Sequence, residues 1–196
     1  DKVILLHSEF KGRLFLEKRE KKSGLGTAYV HGFRWALERN YEFIFEMDAD
    51  FSHNPSDLEK LYNACHFGDA DLSIGSRYVT GVNVVNWPLS RVLMSYFASV
   101  YVRLVTGMKI HDATAGFVCY KRKVLQEINL DKIKFVGYAF QIEMKYRTYC
   151  KKFQIVEVPI IFTDRTKGQS KMSNSIIVEA VFGVIALRLK KLVNTL

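Results

Sequence analysis

Short apolar runs alternate with amphipathic segments through the first half of the chain. Residues 43–47 form a run rich in aromatic and β-branched side chains that is too short for a helix, which predicts a buried strand. Residues 71–75 predict the next strand, and the segments 27–39 and 56–67 predict helices. Because alternation of strands and helices is typical of a mainly parallel sheet flanked by helices, we expect an α/β fold.

Two long apolar segments, 89–105 and 174–193, dominate the second half. Their charged residues keep every uncharged run well short of the ~20 residues that a membrane-spanning helix needs. Two interpretations stay open: core helices of a soluble domain, or amphipathic helices that lie in a membrane interface. The other predicted elements are helices at 2–10 and 139–149 and strands at 13–17, 115–120, 154–158 and 160–163.

Composition limits the classes of partner. The 196 residues suit one domain, 1–196, with 174–196 as a C-terminal amphipathic helix. The net charge of +9 favours anionic partners: nucleic acid, phosphorylated small molecules or an anionic membrane surface. Three scattered cysteines without metal-ligand spacing indicate a reducing compartment rather than a disulfide framework.

The first candidate for chemistry is a pair of carboxylates directly after the 43–47 strand. Asp48 and Asp50 stand one residue apart, and ligands of open α/β sheets bind at the carboxyl ends of strands. Two clustered carboxylates repel each other unless a cation or a proton compensates them, and Mg²⁺ prefers oxygen ligands of this kind. The alternative is that the two residues only end a strand and cap a turn.

A glycine-rich basic loop precedes the 27–39 helix. Gly24 and Gly26 could let backbone N–H groups approach a phosphate at the helix N-terminus. The loop does not match the phosphate-binding pattern G-x-x-x-x-G-K-[ST]. A tight turn without a ligand explains the same glycines equally well.

Four cations fall in predicted loops or at the ends of elements: Arg77, Arg91, Arg165 and Lys171. Taken one at a time, each is better explained as a solvated surface charge. Arg77 follows the 71–75 strand and lies at the same sheet edge as Asp48 if the two strands are parallel. A metal site with several Arg or Lys donors is suited to transfer between phosphates, because these groups stabilise a departing diphosphate and an anionic acceptor.

Six blocks in order carry a family resemblance: GLGTAYVHGFRWAL (24–37), EMDADFSHNPSDL (46–58), ADLSIGSRYVTG (70–81), VVNWPLSR (84–91), DATAGF (112–117) and RTKGQSKMS (165–173). The chain resembles polyprenol-phosphate (dolichol-phosphate) mannosyltransferases, which are family 2 glycosyltransferases with a GT-A fold. It departs from that pattern in lacking the opening strands that hold the nucleotide base and ribose, so we expect that an N-terminal segment is missing.

The resemblance implies inverting transfer of mannose from GDP-mannose to a polyprenyl phosphate, at the cytoplasmic face of a membrane. It implies Mg²⁺ or Mn²⁺ on Asp48 and Asp50, and a catalytic role for the four cations. The implied substrate-binding residues are Gly24, Gly26, Asp48, Ala49, Asp50, Asp112, Thr114, Gly168 and Ser170.

Other functions stay open at this point. A polyprenyl-phosphate glucosyltransferase that uses UDP-glucose is the alternative within the class. A metal-dependent nucleotidyltransferase also uses carboxylates at strand ends, but a water-soluble substrate does not need the long apolar helices. A nucleic-acid-binding module is suggested by charge alone and lacks the motifs of such modules, so we expect no nucleic-acid partner. The oligomeric state is left open.

Overall fold

The computed structural model describes residues 2–21, 23–137, 139–165 and 174–193, without the side chains of 2 and 174–179. Within these residues the strands are β1 (Phe43–Glu46), β2 (Leu72–Ser76), β3 (Val84–Val85), β4 (Val118–Lys121), β5 (Ile155–Pro159) and β6 (Phe162–Thr163). The helices are α1 (Lys2–Glu9), α2 (Leu25–Glu38), α3 (Asp57–His66), α4 (Leu89–Thr106), α5 (Arg122–Glu127), α6 (Ala139–Cys150) and α7 (Asn174–Leu192), with a 3-10 turn at Leu130–Lys132.

The central sheet has the strand order β1-β4-β2-β5. β2 and β5 are parallel, whereas β4 is antiparallel to both of its neighbours, with Ile44 opposite Tyr120 and Ser73 opposite Cys119. β1, β2 and β5 therefore run in one direction. This confirms the α/β fold and shows that the sheet is mixed, with one antiparallel strand in its middle.

A second, two-stranded sheet pairs β3 with β6 in parallel, and Val85 lies opposite Thr163. The Asp164 backbone N–H donates to the Val85 carbonyl at 3.0 Å, and the Thr163 N–H donates to the Ser52 carbonyl at 3.1 Å. These bonds join three loops that are distant in sequence: the segment after β1, the segment after β3 and the segment after β6.

The core fills the space between the central sheet and its helices. On one face Phe33 of α2 packs against Tyr120, with ring centroids 5.2 Å apart, and against Phe140 of α6 at 6.5 Å. On the other face Leu61 and Cys65 of α3 pack against buried side chains of the sheet. Helices cover both faces, so every residue of β2 is buried, as expected for a central strand of such a sheet.

α4 and α7 lie side by side, and the Tyr101 hydroxyl donates to the Val181 carbonyl at 2.8 Å. α4 ends at Gly107, whose left-handed φ of 77° suits a glycine C-cap. Among the described helices, none has both the length and the apolar character needed to cross a membrane.

The structure corrects two expectations at the N-terminal side. Residues 13–17 form no strand, because they pair with no other segment that the structure describes. The Gly26 N–H donates to the Val136 carbonyl at 2.9 Å, so this N–H is not available to a phosphate. A side chain at Gly26 would meet the Phe135 carbonyl at 2.5 Å, so close packing explains this glycine.

Candidate active site

The two carboxylates lie at the sheet edge where β1 ends. Asp48 is exposed, and its Oδ1 accepts a hydrogen bond from the Tyr29 hydroxyl at 3.3 Å. Asp50 Oδ1 accepts from the Ser52 backbone N–H at 3.1 Å and from the Ser52 hydroxyl at 2.5 Å. Burial acts to raise the pKa of Asp50, but the Ser52 hydrogen bonds and the charge of Arg165 outweigh it and lower the pKa below its usual value. Asp50 is therefore held as an anion.

Arg77 follows β2 at the same edge, because β1 and β2 run in one direction. Its Nε donates to Asp112 Oδ2 at 2.7 Å and its Nη2 donates to Asp112 Oδ1 at 2.6 Å, a bidentate pair. Nη2 also donates to the Thr114 hydroxyl at 2.9 Å. Burial acts to raise the pKa of Asp112, but the charge and hydrogen bonds of Arg77 outweigh it and hold the pKa below its usual value. Asp112 thus fixes the direction of Arg77.

Arg91 in the first turn of α4 and Arg165 after β6 reach the site from segments that follow the paired strands β3 and β6. Arg91 Nη1 donates to Asp164 Oδ1 at 2.9 Å, and its guanidinium carbon lies 4.1 Å from the centroid of the Trp87 ring. Arg165 Nη1 lies 3.7 Å from Asp50 Oδ2. The parallel β3–β6 pair therefore brings the two cations to neighbouring positions, with Arg165 beside Asp50 and Arg91 beside Asp164.

These groups line one pocket of about 410 Å³. Its polar end contains Asp48, Asp50, Arg77, Arg91 and Arg165. Its apolar end lies between α4 and α7 and contains Met94, Phe97, Ala98, Tyr101, Val102, Ala180, Val181 and Val184. The pocket thus joins a cluster of anion-binding and cation-binding groups to an apolar channel.

Not every predicted site residue lies in the pocket. Thr114 lines it, whereas Asp112 is fully buried behind Arg77 and Ala49 is exposed beside the lining residues. Gly24 and Gly26 pack against residues 135–140 instead. Three predictions, Gly168, Ser170 and Lys171, lie outside the described residues.

Some residues that line or support the pocket were not expected from the sequence. Glu157 of β5 fixes the loop that carries Asp112: its Oε1 accepts from the Asp112 N–H at 2.9 Å and from the Ser76 hydroxyl at 2.7 Å. His53 lines the pocket, and burial lowers the pKa of its imidazole below the usual value. Trp87 is part of the sequence block 84–91, but the sequence did not indicate that its ring stacks on the guanidinium of Arg91.

The carboxylate oxygens of Asp48 and Asp50 suit a hard divalent cation that the protein holds only in part. No group of three or more His, Cys, Asp or Glu side chains in the described part of the chain is arranged to hold a metal. Asp48 and Asp50 alone would leave most coordination positions to other oxygen ligands. That is how Mg²⁺ usually binds, through one or two carboxylates together with substrate phosphates and water.

The carboxylates and arginines of this pocket suit an enzyme that acts on phosphates, and comparison with known proteins identifies the family. The model of the glycosyl transferase family 2 matches residues 2–129. The chain belongs to this family.

The particular relatives are polyprenol-phosphate mannosyltransferases. The polyprenol monophosphomannose synthase of Mycolicibacterium smegmatis is 49% identical over 172 residues, which cover 88% of this chain and 64% of that protein. The undecaprenyl-phosphate mannosyltransferase of Micrococcus luteus is 49% identical over 166 residues, which cover 85% and 68%. The dolichol-phosphate mannosyltransferase of Pyrococcus furiosus is 35% identical, and the match covers 83% of this chain and 44% of that protein. The chain thus spans about half to two thirds of the length of these relatives.

Solved structures support the GT-A fold. Glucosyl-3-phosphoglycerate synthase from Mycobacterium tuberculosis, in complex with Mn²⁺, UDP and phosphoglyceric acid, matches with a TM-score of 0.59. The match covers 87% of this chain and 54% of that one, at 15% identity, so it concerns the fold alone.

Proposed function

We propose that the protein transfers mannose from GDP-mannose to a polyprenyl phosphate, with inversion at the anomeric carbon. The observation that carries this proposal is that two carboxylates and three arginines share one pocket with an apolar channel between α4 and α7. A nucleotide-sugar diphosphate and a lipid phosphate need these two kinds of surface next to each other. The mannosyltransferase relatives, at 49% identity, support the same reaction.

Asp48 and Asp50 are the residues that would hold Mg²⁺ or Mn²⁺ in this reaction. When bound there, such a cation supplies positive charge to the departing diphosphate. Arg165 lies 3.7 Å from Asp50 and would add a second positive charge at that end of the pocket. Lys171 has the same proposed role.

Arg77 and Arg91 are the proposed ligands of the acceptor phosphate, because both line the pocket that holds the carboxylates and the apolar channel. Each guanidinium is held by a carboxylate, Asp112 for Arg77 and Asp164 for Arg91, so each cation is fixed before substrate binds. A phosphate oxygen is already anionic near neutral pH. It can therefore attack the anomeric carbon without a protein general base.

The apolar end of the pocket is proposed to receive the first part of the polyprenyl chain. Beside it, α4 and α7 expose large apolar side chains on one flank, including Ile185, which is 41% exposed, and Phe97, which also lines the pocket and is 61% exposed. We propose that this flank lies on the cytoplasmic face of a membrane as a peripheral contact, so that the pocket opens towards the lipid phosphate.

A transfer assay with the full-length protein tests the proposal. Radiolabelled GDP-mannose and UDP-glucose are compared as donors, each with a polyprenyl phosphate and Mg²⁺ or Mn²⁺. We expect label to enter the lipid fraction from GDP-mannose. If label enters the lipid fraction only from UDP-glucose, the transferred sugar is glucose rather than mannose. If neither donor gives a lipid-linked product, the proposal is refuted.

A further inference from the structure

A second pocket, of about 390 Å³, lies at the C-terminal ends of α6 and α7. It forms where the C-terminal ends of α5, α6 and α7 meet the 3-10 turn. Among the described residues it shares no lining residue with the active-site pocket. Ile142 lines the first pocket and Arg147 lines the second, so the nearest lining residues of the two pockets are about 7.5 Å apart along α6.

Positive charge exceeds negative charge in the wall of this pocket. The four cations of the lining are Lys132, Arg147, Lys151 and Lys191, and its one carboxylate is Glu127. Lys151 lies 3.5 Å from Glu127, and Arg147 pairs with Glu143 of α6 at 2.8 Å. Lys132 and Lys191 form no ion pair with a carboxylate of the described residues, so two of the four positive charges are left without a counter-charge.

The fold holds two of these cations in place. Arg147 donates to the Lys132 carbonyl at 2.9 Å as well as to Glu143, which fixes its guanidinium plane. The ammonium of Lys191 lies 5.2 Å from the centroid of the Tyr149 ring, within reach of a cation–π contact. Burial together with the neighbouring charge of Lys134 lowers the pKa of Lys190, the residue next to Lys191, which indicates that cations are crowded here.

The shape and charge of the pocket indicate the class of ligand. Guanidinium and ammonium donors bind phosphate oxygens through strong charge-assisted hydrogen bonds. The volume is far larger than a single phosphate ion needs and lies in the range of small-molecule sites. Beside Lys191, α7 exposes Leu189 and Leu192, so a lipid headgroup could reach the pocket as readily as a soluble molecule.

We propose that this second pocket binds a phosphate ester, that is, a phosphate group carried on a small organic body. The ligand is held by Lys132, Arg147 and Lys191, with Lys151 at the rim. The two sources of this chemistry are the headgroup of an anionic phospholipid and a soluble phosphate ester. The site is separate from sugar transfer, and the proposal does not rest on the proposed function.

A matched pair of double variants tests the site. Lys132→Gln with Lys191→Gln removes the two cations that have no counter-charge, and Lys18→Gln with Lys109→Gln removes two exposed lysines elsewhere, so both proteins have the same net charge. Soluble binding is followed by amide chemical shifts of residues 127–132 and 147–151 during titration with inorganic phosphate and with glycerol 3-phosphate. Lipid binding is followed by flotation with vesicles of phosphatidylcholine, with and without phosphatidylglycerol.

We expect saturable binding of glycerol 3-phosphate, or binding to phosphatidylglycerol vesicles, by the unmodified protein and by the control variant. In the pocket variant that binding should weaken at least about tenfold, since charge-assisted hydrogen bonds are lost. If the pocket variant binds less tightly only in the titration, the ligand is a soluble phosphate ester. If the pocket variant binds vesicles less tightly in flotation, the ligand is a lipid headgroup. Equal behaviour of the two double variants with all three probes, or no saturable binding of any probe, would overturn the proposal.

Discussion

At the scale of single residues, Asp50 is the sharpest test of the proposed metal site. Asp50→Asn keeps the shape of the side chain but removes one negative charge from the cation's ligands. Loss of a residue that hydrogen-bonds a metal ligand typically costs about 10–100-fold, so loss of a ligand itself should lower turnover by more than about a hundredfold. The measurement is the transfer rate against Mn²⁺ concentration, and the control is Asp69→Asn in an exposed turn. Near-normal Mn²⁺-dependent turnover by the Asp50 variant would exclude this assignment.

Arg91 gives a second residue-scale prediction. Arg91→Lys keeps the positive charge but loses the planar group that contacts Trp87 at 4.1 Å and bonds Asp164. We expect kcat/KM for the acceptor to fall at least about tenfold, since a charge-assisted hydrogen bond contributes about 1.5–3 kcal/mol.

Arg39→Lys is the matched control for this variant. Its guanidinium lies 3.8 Å from the centroid of the Trp35 ring, so the substitution removes the same kind of contact from a residue that does not line the active-site pocket. If both variants lose equal activity, the effect belongs to lost stacking in general, and Arg91 has no special role in binding phosphate.

The residues that could be predicted from the sequence share one property. Asp48, Asp50 and Arg77 directly follow strands, and the direction of those strands brings them to one sheet edge. For Gly24 and Gly26 the sequence left a phosphate loop and a tight turn equally open, because only their local pattern was visible. Their partners, residues 135–140, lie far along the chain, and a tertiary contact of this kind leaves no periodic signal in the sequence.

At the scale of elements, helices were predicted better than strand pairing. α4 (Leu89–Thr106) and α7 (Asn174–Leu192) end within one residue of the predicted bounds, because their apolar patterns are long. The direction of β4 was not predicted, since the apolar pattern of a strand is the same whichever way the strand runs in the sheet. β3 and β6 have two residues each, too few for a periodic pattern, yet Trp87 and Arg165, which follow these paired strands, line the same pocket.

α6 shows a further limit of pattern reading at this scale. It buries polar and charged side chains along with its apolar ones, including Glu143, Lys145 and Arg147. Lys145 is fully buried and donates to the Ala115 carbonyl at 2.6 Å, next to residues that line the pocket. Internal partners compensate these charges, and a binary apolar–polar pattern cannot indicate such partners.

The exposed flank of α4 and α7 gives the prediction at the scale of elements. The two helices pack side by side as expected, with Phe97 and Ile185 exposed, whereas the hydroxyl of Tyr101 points to α7. Phe97→Ser with Ile185→Ser should weaken co-sedimentation with liposomes, because less apolar surface enters the interface. Binding by the unmodified protein should rise with anionic lipid and fall with salt.

Phe67→Ser is the control for the membrane contact. Phe67 follows α3, is 79% exposed and lies away from the α4–α7 flank, so its replacement should leave liposome binding unchanged. Equal binding by the double variant and the control would leave α4 and α7 as core helices with ordinary surface residues. That result would remove the proposed membrane contact and leave the pocket chemistry untouched.

At the scale of the whole molecule, the buried Arg77–Asp112 pair links the stability of the fold to the site. Asp112 joins the end of β2, through Arg77, to the 112–117 loop, and Glu157 of β5 holds the same loop from its other side. Removing one partner of a buried ion pair typically costs about 3–5 kcal/mol, because the other charge is left buried and uncompensated. Asp112→Asn should therefore destabilise the entire domain rather than only the pocket.

The pH dependence of unfolding distinguishes this account from a simple packing defect. The pKa of Asp112 is lower in the folded state than its usual value, so the pair contributes stability above the unfolded pKa of ~3.9 and loses it as pH falls through the folded value. The free energy of unfolding of the unmodified protein, measured by urea denaturation, should fall as pH drops below ~5. In Asp112→Asn it should be lower at neutral pH and decline less steeply with acid, because one of the depressed carboxyl groups is gone. Parallel pH curves for the two proteins would show that the Asp112 charge does not stabilise the fold.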